Sequence, residues 1–581
     1  MSFGRVSRWT ANAAALAVAA LVASGAVAQP VERNLPPAPT APSTVIAPPP
    51  LPGSINDDKS LGANLSSIVI LGPTAAVEAS PAPGVDTSQV ARLNHPAAVA
   101  TLRPFLGRPI SRKLISQIEA QIVLEYRRQG YPFVEVSTPE QEITEGALQI
   151  RVVEFRVGKI TVAPASVRQA ADIERQIRTK PGDEIYTPNL SQDLDWLNRY
   201  PDRVVTPAFT PGATLAETDL DLAVSHPKPW SISAGYSNSG SPETGNDRYF
   251  VGGSVAGQLL SDTFLSVQVT GSPDFWATRW KFFSDPHPQY ESVAGRLTAA
   301  TWARQDIELT IDVVETNEPT TPFVIRQDTF EANLGYRSAL SNIVPLPGDI
   351  VAGAEVSRQA RHTFFGDTDV LDTGVDIFQF YGDWSDNWTD PLGSENIDAS
   401  VHGSPGGLDG SNTAAAFTTF TNGRVTSGTY VYGQLNFGRQ TKLPLGFGLV
   451  TQFNGQYAGK PIPDSQQIAL GGMTSVRGYT LDDGAWDDGL VLRDELHAPT
   501  VTLVRRDAFV VDVAPMAFLD LGYGHDDGGG PESRIASVGV GADFRVAPTA
   551  IVTLDVSDPL ISAKSTQAGD TRLDVRLSVA Y

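Results

Sequence analysis

The sequence of 581 residues contains no cysteine, which excludes disulfides, thiolate nucleophiles and thiolate-bound metals. Long apolar runs are missing as well. Beyond the N-terminal segment no stretch approaches the ~18 residues a spanning helix requires, so a soluble protein and a closed barrel are the permitted classes. Positive charge is scarce: 43 Lys and Arg stand against 65 Asp and Glu, a net charge of -22 at pH 7. That sign argues against a nucleic-acid partner, whose phosphates demand the opposite. Catalytic signatures are absent too, with no Walker-type phosphate loop, no G-x-S-x-G elbow and no H-E-x-x-H helix. The seven histidines are scattered, and His95, His226 and His287 each sit beside proline, a loop context. No enzyme, no metal site and no cofactor are expected.

What the chain does contain begins with an export signal. Arg5 and Arg8 precede an apolar stretch from Ala11 to Val22, and Ala26-Val27-Ala28 supplies small residues for cleavage, so residues 1–28 read as a signal peptide. Residues 29–60 form a proline-rich linker, because the prolines from Pro36 to Pro52 prevent regular hydrogen bonding. Two small α+β modules follow. The first, 61–156, has a strand at Ser67–Leu71, two amphipathic helices and strands at Tyr131–Ser137 and Ala147–Glu154. In its second helix Ile110, Leu114, Ile118 and Ile122 recur at helical spacing, Ser111 is a cap and Gly130 a stop. The order nearly repeats over 157–226, with helices at 166–178 and 189–198 and strands at 204–211 and 220–224.

From Trp230 the period changes to two. Ile307, Leu309, Ile311 and Val313 alternate with Glu308, Thr310 and Asp312, and the chain ends in Leu573, Val575, Leu577, Val579 and Tyr581 against Arg572, Asp574 and Arg576. One face of strand after strand is apolar and the other polar, the pattern of a barrel whose outer wall meets lipid. Residues 229–581 hold on the order of sixteen strands of ~10 residues, a barrel wide enough to leave an aqueous lumen. A soluble β-sandwich or solenoid is the competing fold. The chain's Asp/Gly-rich stretches, Asp482 to Gly489 and Asp526 to Gly530, lack the ligand spacing of a calcium loop and read as solvated acidic loops.

Two motifs stand out. Val476-Arg477-Gly478-Tyr479 lies on a glycine-rich loop between strand-like segments. Phe518-Leu519-Asp520-Leu521-Gly522 lies on a strand where period two puts Leu519 and Leu521 toward lipid and Asp520 toward the lumen. Arg477 would pair with Asp520 if its loop folds inward. Spacing alone leaves the alternative open, with Arg477 an ordinary surface-loop arginine and Asp520 a water-exposed lumen charge.

At these motifs the chain resembles the transporter component of two-partner secretion, the hemolysin secretion/activation family. The V-R-G-Y of Val476–Tyr479 is similar to that family's inward-folded loop motif, and Phe518, Asp520 and Gly522 match its F-x-D-x-G strand motif. Further likeness lies in Leu197–Pro201, Pro211-Gly212, Thr218–Leu220 and Leu492–Leu496. The resemblance implies two polypeptide-transport-associated (POTRA) domains, a sixteen-stranded outer-membrane barrel with an inward loop at 468–486, and an Arg477–Asp520 ion pair that holds it. Leu577, Val579 and Tyr581 would form the C-terminal barrel signal. The implied partners are one secreted exoprotein client, outer-membrane lipid and, during insertion, the barrel assembly machinery. An insertase of the same superfamily is the runner-up function. Many family members begin with a plug helix, which the prolines from Pro36 to Pro52 cannot form; on that ground the inward loop would be the principal obstruction of the lumen.

Overall fold

The computed structural model describes residues 31–36, 38, 46–53, 55–257, 261–278, 281–506, 509–530, 532–547 and 549–581. The expected signal peptide lies outside them. Two compact units make up the chain, one from 39 to 228 and one that joins residues up to 38 with 229–581.

The first unit contains two sheets. In one, β1 (Ser67–Leu71), β2 (Gly84–Asp86), β3 (Val134–Ser137) and β4 (Ala147–Glu154) take the order β2-β1-β4-β3, with β1 parallel to β2 and β4, and β3 antiparallel to β4. Helices α1 (Pro96–Leu102) and α2 (Arg112–Arg128) cover it. Ser111 caps α2 by accepting the amide of Leu114, and Leu114, Ile118 and Ile122 are buried against Ile68, Ile70 and Leu148. Strand β3 starts three residues later than the alternation indicates, because Pro132 has no amide to give a ladder. The second sheet takes the order β5-β7-β6, from β5 (Arg156–Ala163), β6 (Val204–Pro211) and β7 (Glu217–Ser225). Its helices, α3 (Val167–Gln176) and α4 (Thr187–Leu197), bury Ile173, Leu190, Leu194 and Leu197. In each sheet the outermost strands keep one side without a strand partner.

In the other unit sixteen antiparallel strands close into a barrel. Each pairs with its neighbour in sequence, and the first strand, Trp230–Ser237, pairs with the last, Arg572–Ala580. Closure removes every edge, the condition for a sheet to stand in hydrocarbon. The outward face is apolar across strands, as where Leu309 lies opposite Leu334 and Val313 opposite Phe330. Such residues are exposed, Val401 at 59% and Val540 at 60%, which only a lipid surround makes favourable. Inward positions are polar: Asp312, Glu331, Gln379 and Asp574 are buried. The strand Val501–Arg505 continues Asp488–His497 as a hairpin with the strand after it.

Candidate functional site: the occupied lumen

Between Tyr457 and Asp488 the chain leaves the wall and folds as a hairpin, with Ile468–Ala469 paired to Ala485–Trp486 and a one-turn helix at Leu481–Asp483 capped by Thr480. Its apolar residues Leu470, Val476 and Tyr479 are buried against Val491 and Ile535. This small apolar core holds the loop against the wall. The Tyr479 hydroxyl donates to the Ile561 carbonyl at 2.6 Å.

The structure brings Arg477 and Asp520 together, with the arginine 1% and the carboxylate 0% exposed. Arg477 Nε donates to Asp520 Oδ2 at 2.7 Å, Nη2 to Oδ1 at 2.8 Å, and the Arg477 amide to Oδ2 at 3.1 Å. The fork is bidentate, and the backbone contact adds a third bond that fixes the loop itself. Phe518 lies under the guanidinium, 3.5 Å from its ring centre. Gly522 has a separate reason: a Cβ there would meet Ile535 at 2.9 Å and Val476 at 3.1 Å, so a side chain would push the loop off the wall. Gly478 adopts φ 88, and a Cβ would stand 3.1 Å from both Pro559 and Ser557. Leu577 and Val579 lie in the closing seam opposite Tyr236 and Ala234, and Tyr581 exchanges two backbone hydrogen bonds with Ile232.

Several partners were not legible in the sequence. Glu495 pairs with Arg477, Oε1 lying 2.9 Å from Nη1, and Asp555 lies 3.7 Å from the same nitrogen. Arg493 donates to the Thr474 carbonyl at 3.1 Å and approaches Asp520 at 3.8 Å. Period two puts Arg493 and Glu495 on one face, the only hint available, since register across strands is set by loop lengths.

A second occupant corrects the expectation that the inward loop is the main obstruction. Residues 31–36, read by composition as linker, run without helix inside the barrel and bind its wall. Glu32 accepts from Arg248 Nη2 at 2.8 Å, Arg33 donates to Glu331 at 2.6 and 2.9 Å, and the Tyr290 hydroxyl donates to the Glu32 carbonyl at 2.8 Å. Arg248 is 1% exposed and its other partners are neutral, the Thr244, Gly245 and Asp247 carbonyls, the Thr244 hydroxyl and the Tyr290 ring, so Glu32 supplies the charge that compensates its guanidinium. Proline density does forbid a helix, but an extended segment can fill a channel equally well.

The first acidic stretch, Asp482 to Gly489, is a further correction, whereas Gly528 to Gly530 of the second are exposed. Asp482, Asp483 and Asp487 are buried rather than solvated. Asp483 caps the amides of Ser565 and Thr566, and Asp487 accepts from Arg424 and from the amides of Ile462 and Asp527. No metal-holding group of side chains occurs among the described residues.

Residues 406–544, which include the loop and the strand facing it, match the model of the haemolysin secretion/activation protein ShlB/FhaC/HecB. Residues 82–154 match the ShlB-type POTRA domain. The chain is an outer-membrane protein transporter, similar over these residues to the ShlB/FhaC/HecB proteins. Its barrel lies in the outer membrane and its POTRA part in the periplasm. The outer membrane transporter CdiB-2 of Burkholderia pseudomallei is 22% identical over 470 residues, which is 76% of this chain and 72% of that protein. CdiB of Dickeya dadantii is 25% identical over 167 residues, 28% of each chain. Among solved structures, CdiB from Escherichia coli superposes with a TM-score of 0.64 at 17% identity, covering 92% of this chain and 94% of that one. CdiB from Acinetobacter baumannii gives 0.58 at 15% identity, covering 94% and 95%. Both likenesses are of fold.

Proposed function

We propose that this ShlB-type transporter exports one large partner exoprotein of adhesin or hemolysin type, and that the Arg477–Asp520 pair holds its inward loop in the working position. Residues 61–156 and 157–226 act as two POTRA domains, 1–28 as the export signal and 229–581 as the transport barrel. The outer strands of both POTRA sheets would take up the unfolded client by strand addition, gaining backbone hydrogen bonds without sequence-specific chemistry. The client then crosses a polar lumen whose resident segments must give way. Lipid meets the apolar outer face, and the terminal strand with Leu577, Val579 and Tyr581 is where the barrel assembly machinery would engage during insertion.

The buried fork of Arg477 on Asp520 is the observation that carries this reading. A buried ion pair that ties a loop to the inner wall of a wide barrel does little for the wall, whose own ladder is complete, and much for the loop. Arg477→Ala removes one partner and strands three carboxylates near one another, a change of about 3–5 kcal/mol where burial is complete. Secretion of the partner into the medium should fall by about tenfold or more while the barrel still reaches the outer membrane in heat-modifiable form. Wild-type secretion by Arg477→Ala would refute the role given to the pair.

A further inference from the structure

The inward loop is gripped a second time, away from the Arg477–Asp520 pair. Between the strands Gly393–Ser404 and Tyr430–Lys442 runs a surface segment, 405–429, with a short helix at Ala414–Phe420. That segment is itself fixed. Asn412, fully buried, donates to the Asp376 carbonyl at 2.7 Å, and Phe417, Phe420 and Val425 pack on Val375 and Ile377 of the wall. From this platform Arg424 reaches the place where the inward loop departs and returns.

Its guanidinium touches both limbs. On the outgoing limb Nε donates to Asp464 Oδ1 at 3.0 Å and Nη2 to the Ile462 carbonyl at 2.5 Å. On the returning limb Nη1 donates to Asp487 Oδ1 at 2.9 Å. Asp487 is 0% exposed and accepts from three further donors: the Ile462 amide at 3.0 Å, Gln467 Nε2 at 3.0 Å and the Asp527 amide at 3.2 Å. Ile462 is buried in the same cluster as Phe417 and Val425. The strands run antiparallel from a periplasmic entry before Trp230, so this junction stands at the outer mouth. One arginine there compensates two buried carboxylates on opposite limbs, and without it their repulsion drives the limbs apart.

We propose that Arg424 is a positioning residue for the inward loop: it clamps the loop's two limbs to the 405–429 segment and keeps the outer mouth shut until an exported chain parts them. Its role in export rests on the transport reading above, whereas the clamp can be tested without any client. Full-length wild type, Arg424→Ala, and a charge-neutral triple variant, Arg424→Met with Asp464→Asn and Asp487→Asn, would be compared in planar lipid bilayers and by protease cleavage of residues 458–487 in intact outer membranes. Heat-modifiable gel mobility would verify that each barrel is folded. Arg424→Ala should spend about tenfold or more time in conducting states and be cleaved faster, and the triple variant should lie close to wild type on both readouts. Wild-type conductance and cleavage in Arg424→Ala would overturn the clamp. A triple variant as open as Arg424→Ala would overturn it too, because charge compensation would then not be what holds the mouth. If wild type, too, secretes no partner protein while these differences appear, the clamp stands and the export reading falls.

Discussion

Arg477 is held by charge, by a ring and by shape at once, and each hold can be removed separately. Gly522 supplies the shape. Gly522→Val would place a branched side chain where Ile535 and Val476 already stand within 2.9 and 3.1 Å of a bare Cβ, at a cost of about 1–3 kcal/mol for overpacking. The expected outcome is a folded barrel whose residues 468–486 become protease-sensitive, read by mass spectrometry of cleaved outer membranes. In the periplasmic unit Glu125 is a different case. Burial pushes its carboxyl up, but hydrogen bonds from Arg128 and Gln129 and the nearby His95 outweigh that and hold it below its ordinary range. A lowered carboxylate stabilises the fold above its unfolded pKa, and the contribution fades as pH falls through the folded value. Glu125→Gln should therefore lower the helix melting temperature at neutral pH and lose that deficit on acidification, measured by circular dichroism. Arg477 and Asp520 could be proposed as partners because both sit in motifs and on opposing faces. Glu495 and Asp555 could not be assigned, since nothing local says that their strands bring them to the same guanidinium.

Among the elements, helix α2 was readable from its cap, its apolar period and its glycine stop, all within one local stretch. The N-terminal segment was readable only in part. Its prolines dictate an extended backbone, whereas its place in the lumen depends on Arg248 and Glu331, which lie 216 and 298 residues away. The sequence contains no local sign of such pairings. Glu32→Ala would remove charge-assisted hydrogen bonds worth about 1.5–3 kcal/mol and leave Arg248 buried without its carboxylate. Single-channel recordings of that variant should show roughly tenfold more conducting time than wild type, and unchanged traces would mean that the segment obstructs nothing. The stretch Asp482 to Gly489 differs from its expectation for a related reason: composition marks it as polar, but burial depends on the arginine and the amides that meet it.

At the scale of the whole molecule, alternation with period two was the most legible property, because a closed wall between lipid and water imposes it on every strand. Counting residues per strand then yields sixteen, the number that closes. The contents of the lumen were less legible, since a wide barrel can be filled by any polar segment whose charges match the wall. Two separate fillings, the loop and residues 31–36, make the resting molecule a closed transporter with no spanning helix among the described residues. The absence of cysteine makes that closed state directly measurable. Val476→Cys with Ile535→Cys is the only thiol pair such a variant would carry, and the two native side chains pack in one buried cluster, 3.1 and 2.9 Å from the same point at the Cβ position of residue 522. Oxidised in intact outer membranes, this pair should form an intramolecular disulfide that shifts gel mobility and blocks secretion until it is reduced. Two free thiols that remain accessible to a maleimide label under the same oxidation would contradict a loop folded onto the inner wall.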